Sequence, residues 1–558
     1  MIMTMMPLHT TIVLTLLLSS LSLSGCSALP ELRYRDLLLH NQHDVADAAA
    51  AHDVEERYVT QRLDHFDATN EATFAQRYFV SYRYQQKQSS GPVLHFLCVG
   101  GEGPGLDKSV LVDSVHCTGD MLELADRLSR QYNIRLYALE HRYYGKSYPT
   151  FNDGSSPLET ANLKFLSSQQ ALEDLSHFVH EMNQQTDSTS DTWVTFGGSY
   201  PGMMALYARY KYPHLIHAAV SSSAPINAKA DFPEYKARQG WDLLYAKVGG
   251  SMECHRIVKT GHEQAVALLQ QTTTNGPEKL ATMFQVCDPS TTLHEKRNQE
   301  LLLGDGLIDI PAQSNDPSCT AEETCNIDGL CKVLIQEFEK SSQQDDPTEN
   351  AELHVLAKVS RKQRRVAPND NVTSPCVTVD FDAVLEEVAS TKVDDFGWRS
   401  WLYQTCSEFG FYQTCGDDCP FASQFHRIDM DLEICEKAFN ITNVFENVHA
   451  TRDRYGGLNI VDTDATNILS VNGNVDPWSR LALGKSNEVK YRLPIKEVDG
   501  ASHHFWTHPA RDTDTPEIVQ AREYIYSVLM DWLGVEAKEA LSHQTASNHL
   551  RTAVSRRQ

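Results

Sequence analysis

The segment that most constrains the fold is an apolar run that enters a glycine turn and passes straight into a helix-forming stretch. Trp193-Val-Thr-Phe196 leads into Gly197-Gly-Ser-Tyr-Pro-Gly202, and a helical pattern follows from Met203 to Tyr212. A strand that turns so sharply into a helix needs glycine beside the apex, where any side chain would obstruct the close approach of the backbone. Other segments share this form. Val93-Leu-His-Phe-Leu-Cys-Val99 is an unbroken apolar run ended by Gly100-Gly-Glu-Gly-Pro-Gly105, the pattern of a buried strand and a sharp loop. Ile134 to Leu139 and His217 to Ser221 read as further strands, and Ser167 to Met182 as a helix between strands. Strands alternating with helices imply an α/β fold whose parallel sheet is closed by right-handed crossovers.

This rhythm stops at about Pro225 and returns only with Asn467-Ile-Leu-Ser-Val471 and Arg492-Leu-Pro-Ile-Lys-Glu-Val498. A chain of 558 residues exceeds what one compact core usually holds, so a large insertion or a second domain is expected. The intervening region contains ten of the thirteen cysteines together with helix-like segments, and reads as an inserted, mostly helical, disulfide-stapled cap. After it, Ile518, Ala521, Ile525, Val528, Leu529 and Trp532 recur at helical spacing and should pack on the sheet. The expected organisation is a signal segment (1–28), a polar tail or propeptide (29–56), a first sheet portion (57–224), the cap (225–439), a second sheet portion (440–536) and a C-terminal tail (537–558).

Ile12 to Leu23 is an apolar run of about a dozen residues ended by small residues, too short to span a bilayer, and reads as a signal-peptide core with its cleavage site. Leu23-Ser-Gly-Cys26 also has the form of a bacterial lipoprotein box. Removing Cys26 leaves twelve cysteines, an even number that suits disulfides in an exported chain. The tight clusters Cys319, Cys325, Cys331 and Cys406, Cys415, Cys419 invite a zinc reading, but the spacing supplies no second pair, and no metal is expected. Asn371-Val-Thr373 and Asn440-Ile-Thr442 are glycosylation sequons for a eukaryotic secretory route. The balance of 49 basic against 74 acidic residues, a net charge of −25, argues against nucleic acid or an anionic membrane surface as partner. The one dense basic run, Arg361-Lys-Gln-Arg-Arg365, reads as an exposed cap segment or a processing site.

Three motifs carry the chemistry. Ser199 sits at the apex of the strand-to-helix turn, Asp476 lies in Asn472-Gly-Asn-Val-Asp-Pro-Trp478 after an apolar strand, and His503 lies in Gly500-Ala-Ser-His-His504. Nucleophile, acid and base in the order Ser, Asp, His match the chain order of α/β-hydrolases, not that of chymotrypsin or subtilisin. The usual G-x-S-x-G has Pro201 in its last place, which the first turn of a helix tolerates. A serine hydroxyl needs an adjacent base and donors for the oxyanion that forms on attack. Tyr200 N–H and a donor from the loop after the earlier strand, at Gly101, are the expected oxyanion hole. His504 competes with His503 as the base, and Glu102, Glu140 and Glu408 are candidates for a substrate amino terminus, with structural ion pairs as the alternative. Trp478 and His504 are further candidates to line the substrate pocket. A serine peptidase or related acyl-transfer hydrolase follows; an esterase or lipase, or a secreted binding protein with an idle triad, are the alternatives.

These residues resemble the group formed by lysosomal Pro-Xaa carboxypeptidase, dipeptidyl-peptidase II and thymus-specific serine protease. The resemblance runs from Gln61-Arg-Leu-Asp-His-Phe66 to Trp532 and includes Thr73-Phe-Ala-Gln-Arg-Tyr-Phe79, Gly100-Gly-Glu-Gly-Pro104, Glu140-His-Arg-Tyr-Tyr-Gly-Lys-Ser147, Leu166-Ser-Ser-Gln-Gln-Ala-Leu172 and the three triad motifs. Trp401 to Thr414 looks closest to the thymus-specific branch. The resemblance implies an α/β-hydrolase fold with a helical, disulfide-bearing cap, a triad of Ser199, Asp476 and His503, and exopeptidase cleavage of peptide substrates at a prolyl bond. It further implies no metal or organic cofactor, no membrane once the signal is removed, dimers as precedent, and a lysosomal, vacuolar or extracellular location. Phe505-Trp-Thr-His508 replaces the Leu-Asp-Leu-Arg that follows the base in the two best-known branches.

Overall fold

The computed structural model describes residues 53–535 apart from 86–91, 187–190, 272–274, 321–322, 343–348, 366–375 and 490. The expected signal segment and C-terminal tail, Cys26 and the Asn371 sequon lie outside the described residues. The strands, in chain order, are β1 (Val54–Arg62), β2 (Thr73–Ser81), β3 (Val93–Val99), β4 (Asn133–Leu139), β5 (Thr192–Gly198), β6 (Ala218–Ser222), β7 (Lys229–Asp231), β8 (Gly410–Tyr412), β9 (Ile468–Gly473) and β10 (Ile495–Val498). Eight of them form one sheet in the order β1-β2-β4-β3-β5-β6-β9-β10. Pairing is antiparallel from β1 through β2 to β4 and parallel across the rest. This is the sheet of the α/β-hydrolase fold. Strand β1 begins at Val54, within the stretch expected to be tail, because it pairs along its whole length with β2, from Val54 opposite Ser81 to Arg62 opposite Thr73.

The central strands are buried along most of their length because both faces are covered. In β3 all seven residues are buried. Phe96, Leu136, Val194, Val220 and Leu469 point to one face, where Ile525 and Leu529 of the helix Pro516–Trp532 cover them. Leu97, Tyr137 and Trp193 point to the other, against the helices Ser168–Thr186 and Tyr200–Lys211. That second core continues without a break into the cap.

The cap is inserted between β6 and β9. Its main helices are Glu234–Asp242, Met252–Leu269, Ile327–Ser342 and Ala351–Arg365, and β7 and β8 form a separate parallel pair. Five disulfides staple it: Cys254–Cys331, Cys287–Cys376, Cys319–Cys325, Cys406–Cys435 and Cys415–Cys419. A sixth, Cys98–Cys117, lies in the sheet portion. The cysteine clusters are therefore disulfide partners, and among the described residues no group of three or more ligating side chains could hold a metal ion. The helix Val444–Tyr455 follows the expected end of the cap but packs on β7, β8 and the 405–409 turn, with Tyr455 stacked on Tyr207 at 3.9 Å. Among the described residues no helix is long and apolar enough to cross a membrane. Asn440, the other sequon, is exposed at the end of the helix Asp429–Phe439.

Candidate active site

The three motifs meet at the carboxyl ends of the parallel strands, the place where α/β sheets bind ligands. Ser199 follows β5 directly and has φ 62° and ψ −132°, a backbone conformation that L residues rarely adopt outside functional turns. The turn is held by Ser199 N–H donating to Ser222 O at 2.9 Å and by Met203 N–H donating to Ser199 O at 3.1 Å. A side chain at Gly197 would put its Cβ 2.3 Å from Pro201 O, which explains the glycine before the apex. The helix starts at Tyr200, three residues earlier than expected, with Pro201 in its first turn. Its first N–H groups have no intrahelical acceptor and lie next to Ser199.

The glycine loop lies against this elbow. A Cβ on Gly101 would sit 2.4 Å from Cγ of Pro201, so only glycine lets this loop pack against the proline ring of the elbow. Gly100 donates its N–H to Leu139 O at 2.9 Å. Tyr200 is fixed from two sides. His141 holds Arg142 O on Nδ1 at 2.7 Å, so its Nε2 receives the Tyr200 hydroxyl at 2.9 Å, and Gln404 of the cap donates to the same hydroxyl oxygen at 3.0 Å. Burial pushes His141 down to about 4, which keeps this imidazole neutral.

Asp476 is fully buried in the turn after β9. Its Oδ1 accepts Trp478 N–H at 2.9 Å and its Oδ2 accepts from His503 Nδ1 at 2.8 Å. The acid and base loops can touch because Gly473 has no side chain: a Cβ there would lie 2.2 Å from Ala501 O. Val475 N–H donates to Ala501 O at 3.0 Å and zips the two loops together. His503 is 7% exposed, and its Nε2 is a buried ring nitrogen without a hydrogen-bond partner. No hydrogen bond joins it to Ser199 Oγ in this structure; such contacts are often long before substrate binds.

His504 does not compete for the acid. Its N–H donates to Ser223 Oγ at 2.9 Å and its ring packs on Gly198, 2.8 Å from where a Cβ would stand. Burial, then the neighbouring His503, His508 and His116, hold it well below the ordinary histidine range. Glu102, beside Gly101, has a buried Oε2 with no partner; burial pushes the carboxyl up to about 7, against the opposing pull of His503. Trp478 stands 6.4 Å from the His503 ring and meets Tyr235, Phe411 and Phe232 at 5.3, 5.4 and 5.7 Å. Trp478 thus starts an aromatic wall beside the imidazole that Tyr235, Phe411 and Phe232 of the cap complete.

Two of the candidate carboxylates have structural partners. Both oxygens of Glu408 are taken by Ser168, the N–H at 2.8 Å and the hydroxyl at 2.6 Å, where they cap the helix Ser168–Thr186. Glu140 is paired with Arg77 at 2.5 Å and also accepts from Leu106 N–H, Lys146 N–H and the Ser147 hydroxyl. It braces the far end of the glycine loop. Sequence reasoning missed Gln313, whose side chain accepts from both Trp478 and Tyr235; nothing in the residues around it marks it.

The family model for serine carboxypeptidase S28 matches residues 61–525. The chain is similar to thymus-specific serine protease from Mus musculus, 32% identical over 490 residues covering 85% of this chain and 87% of that protein. It is also similar to lysosomal Pro-X carboxypeptidase from Homo sapiens, 25% identical over 490 residues covering 85% and 88%. Among solved structures it is similar to the peroxisomal α/β-hydrolase Lpx1 from Saccharomyces cerevisiae, with 10% identity, a TM-score of 0.34, and coverage of 90% of this chain and 98% of that one.

Proposed function

The chain belongs to the serine carboxypeptidase S28 family and is a serine-type peptidase, and from that premise we propose that it removes residues from peptide chain ends beside proline, using Ser199, Asp476 and His503 through an acyl-enzyme. The observation that carries this reading is the 2.8 Å pair between Asp476 Oδ2 and His503 Nδ1, which leaves Nε2 without a competing partner next to a nucleophile elbow. His503 takes the proton of Ser199 as its Oγ attacks the peptide carbonyl, and Asp476 holds the tautomer and stabilises the imidazolium. Tyr200 N–H and Gly101 N–H receive the oxyanion. His503 returns the proton to the leaving amine, and water repeats the attack on the ester.

The proline preference is supported by the aromatic wall of Trp478, Tyr235 and Phe411 beside the base, since a compact, rigid pyrrolidine ring packs well on aromatic faces. The name of one relative, lysosomal Pro-X carboxypeptidase, points the same way. A cap over the strand ends favours free chain ends over internal bonds. Six disulfides fit an oxidising, secretory-route compartment, lysosome or extracellular space.

The test is mass spectrometry of peptides with proline second from either end, incubated at about pH 5 with the protein and with Ser199→Ala, alongside labelling by a fluorophosphonate. Trimming and labelling by the parent alone are expected. Cleavage that persists in Ser199→Ala would overturn the assignment of the nucleophile, and fast ester turnover with intact peptides would overturn the exopeptidase reading.

A further inference from the structure

We propose that Gln313, a cap residue 165 positions before Trp478, is a positioning and specificity-determining residue that couples the seating of the cap to the competence of the base. It lies in the turn segment between the helices Lys296–Leu303 and Ile327–Ser342. Its main-chain carbonyl accepts the His503 N–H at 3.2 Å. Its side-chain oxygen accepts the Trp478 indole N–H at 3.0 Å and the Tyr235 hydroxyl at 2.7 Å. One residue thus touches the base, the wall beside it, and the cap helix that completes that wall.

The amide orientation is fixed by chemistry. An indole N–H can only donate, so the atom facing Trp478 is the oxygen, and its two lone pairs are filled by two donors. Trp478 in turn donates its main-chain N–H to Asp476, so a shift of the indole is felt by the acid as well. The flanking contacts make this a clasp: Ser502 Oγ donates to Asn315 O at 2.9 Å and Arg511 pairs with Asp316 at 2.9 Å. The segment 313–316 therefore grips both sides of the His503 loop. A cap that lifted off would release the base and open the wall in one motion.

The inference rests on the triad reading above, and the test keeps the two separable. Gln313→Met keeps the length of the side chain and removes the acceptor; Gln313→Glu keeps an acceptor oxygen in place. Gln313→Met is expected to label with fluorophosphonate about tenfold more slowly than the parent and to lose about tenfold in its preference for proline over alanine peptides, the scale of two lost neutral hydrogen bonds. Gln313→Glu recovers most of both. Tyr235→Phe, which removes one donor and leaves the segment intact, should show part of the same loss of preference. Labelling at the parental rate with unchanged preference in Gln313→Met overturns the proposal, as does equal impairment of the Met and Glu variants. If the parent labels but trims no proline peptide, the proline reading fails while the labelling rates of the variants still decide the role of Gln313.

Discussion

The sheet and the cap position their functional groups by different means. At the strand ends the reactive groups are placed by backbone: Ser199 by its own φ of 62°, the glycine loop by close contact with Pro201, and the acid and base loops by the contact of Gly473 with Ala501. In the cap the contributions come from side chains on helices and turns that disulfides hold together, among them Gln313, Tyr235 and Gln404. Where an added Cβ would come within 2.2 to 2.4 Å of its neighbour only glycine fits, whereas a side-chain wall can be rebuilt with other residues. On the proposed reading the sheet half carries the reacting groups, and the cap shapes the substrate wall and, through Gln313, holds the base in place.

Two substitutions on the sheet side probe that division most strongly. Asp476→Asn keeps the shape of the site but lets the imidazole take the wrong tautomer, and a fall in kcat of about ten-thousand-fold is expected with little change in KM. Activity within a few-fold of the parent would mean that Asp476 is a turn residue. Gly473→Ala forces a Cβ to within 2.2 Å of the Ala501 carbonyl, so the two loops must part. Displacing the acid from the base by a few tenths of an ångström to 1 Å should cost about a hundredfold in kcat, and the strain about 1 to 3 kcal/mol in stability. Steady-state kinetics and a thermal melt measure both. If Gly473→Ala retained full activity, the claim that backbone contact sets this half would be wrong.

The same division explains what was legible in the sequence. The strands, the elbow, the acid and the base are local patterns: an apolar run, a glycine, then one reactive residue, each decided within about ten positions. Even there the helix after Ser199 starts at Tyr200 and not Met203, because Pro201 and Gly202 fit a first helical turn. Strand β1 was hidden because its apolar residues do not alternate: Val54 and Val59, five positions apart, face the two opposite cores, and the strand is fixed by its pairing with β2. In the cap the decisive relations are long-range. Cys331 pairs with Cys254 rather than with the nearby Cys325, and Cys406 with Cys435 rather than Cys415, which no spacing reveals. Glu408 reads in sequence as a structural carboxylate or a candidate for a substrate amino terminus, and its partner Ser168 lies 240 residues earlier, while Gln313 has no motif at all.

The smallest effect lies in the one part of the sheet side that departs from this pattern. Asp476 is buried with an indole-turn N–H and an imidazole on its two oxygens, whereas Asp120, equally buried near the helix Pro516–Trp532, has Met121 N–H on one oxygen and nothing on the other. Burial therefore pushes Asp120 up to about 7, and Glu102 and Asp242 rise to about 7 and about 8 for the same reason. A carboxyl whose folded pKa lies above its unfolded value holds a proton that the unfolded chain has lost, so its contribution is complete below the unfolded pKa near 4 and disappears as pH rises through 7 to 8. Buried histidines act in the opposite sense. His141 and His508, pushed down to about 4 and about 3, weaken the fold as pH falls through about 6.5, where the unfolded histidines take up protons. As pH rises from 6.5 to 8 the raised carboxyls lower the stability while the lowered histidines raise it, so the decline owed to one carboxyl is read by comparing the parent with a variant of that group. Asp120→Asn should remove about 1 kcal/mol of the decline, measured as the difference between the melts of parent and variant at the two pH values. A variant that follows the parent across the window would show that Asp120 is ionised in the fold and that the unpaired oxygen has found a partner; a steeper decline in the parent than in the variant would show a protonated carboxyl that lacks the partners Asp476 has.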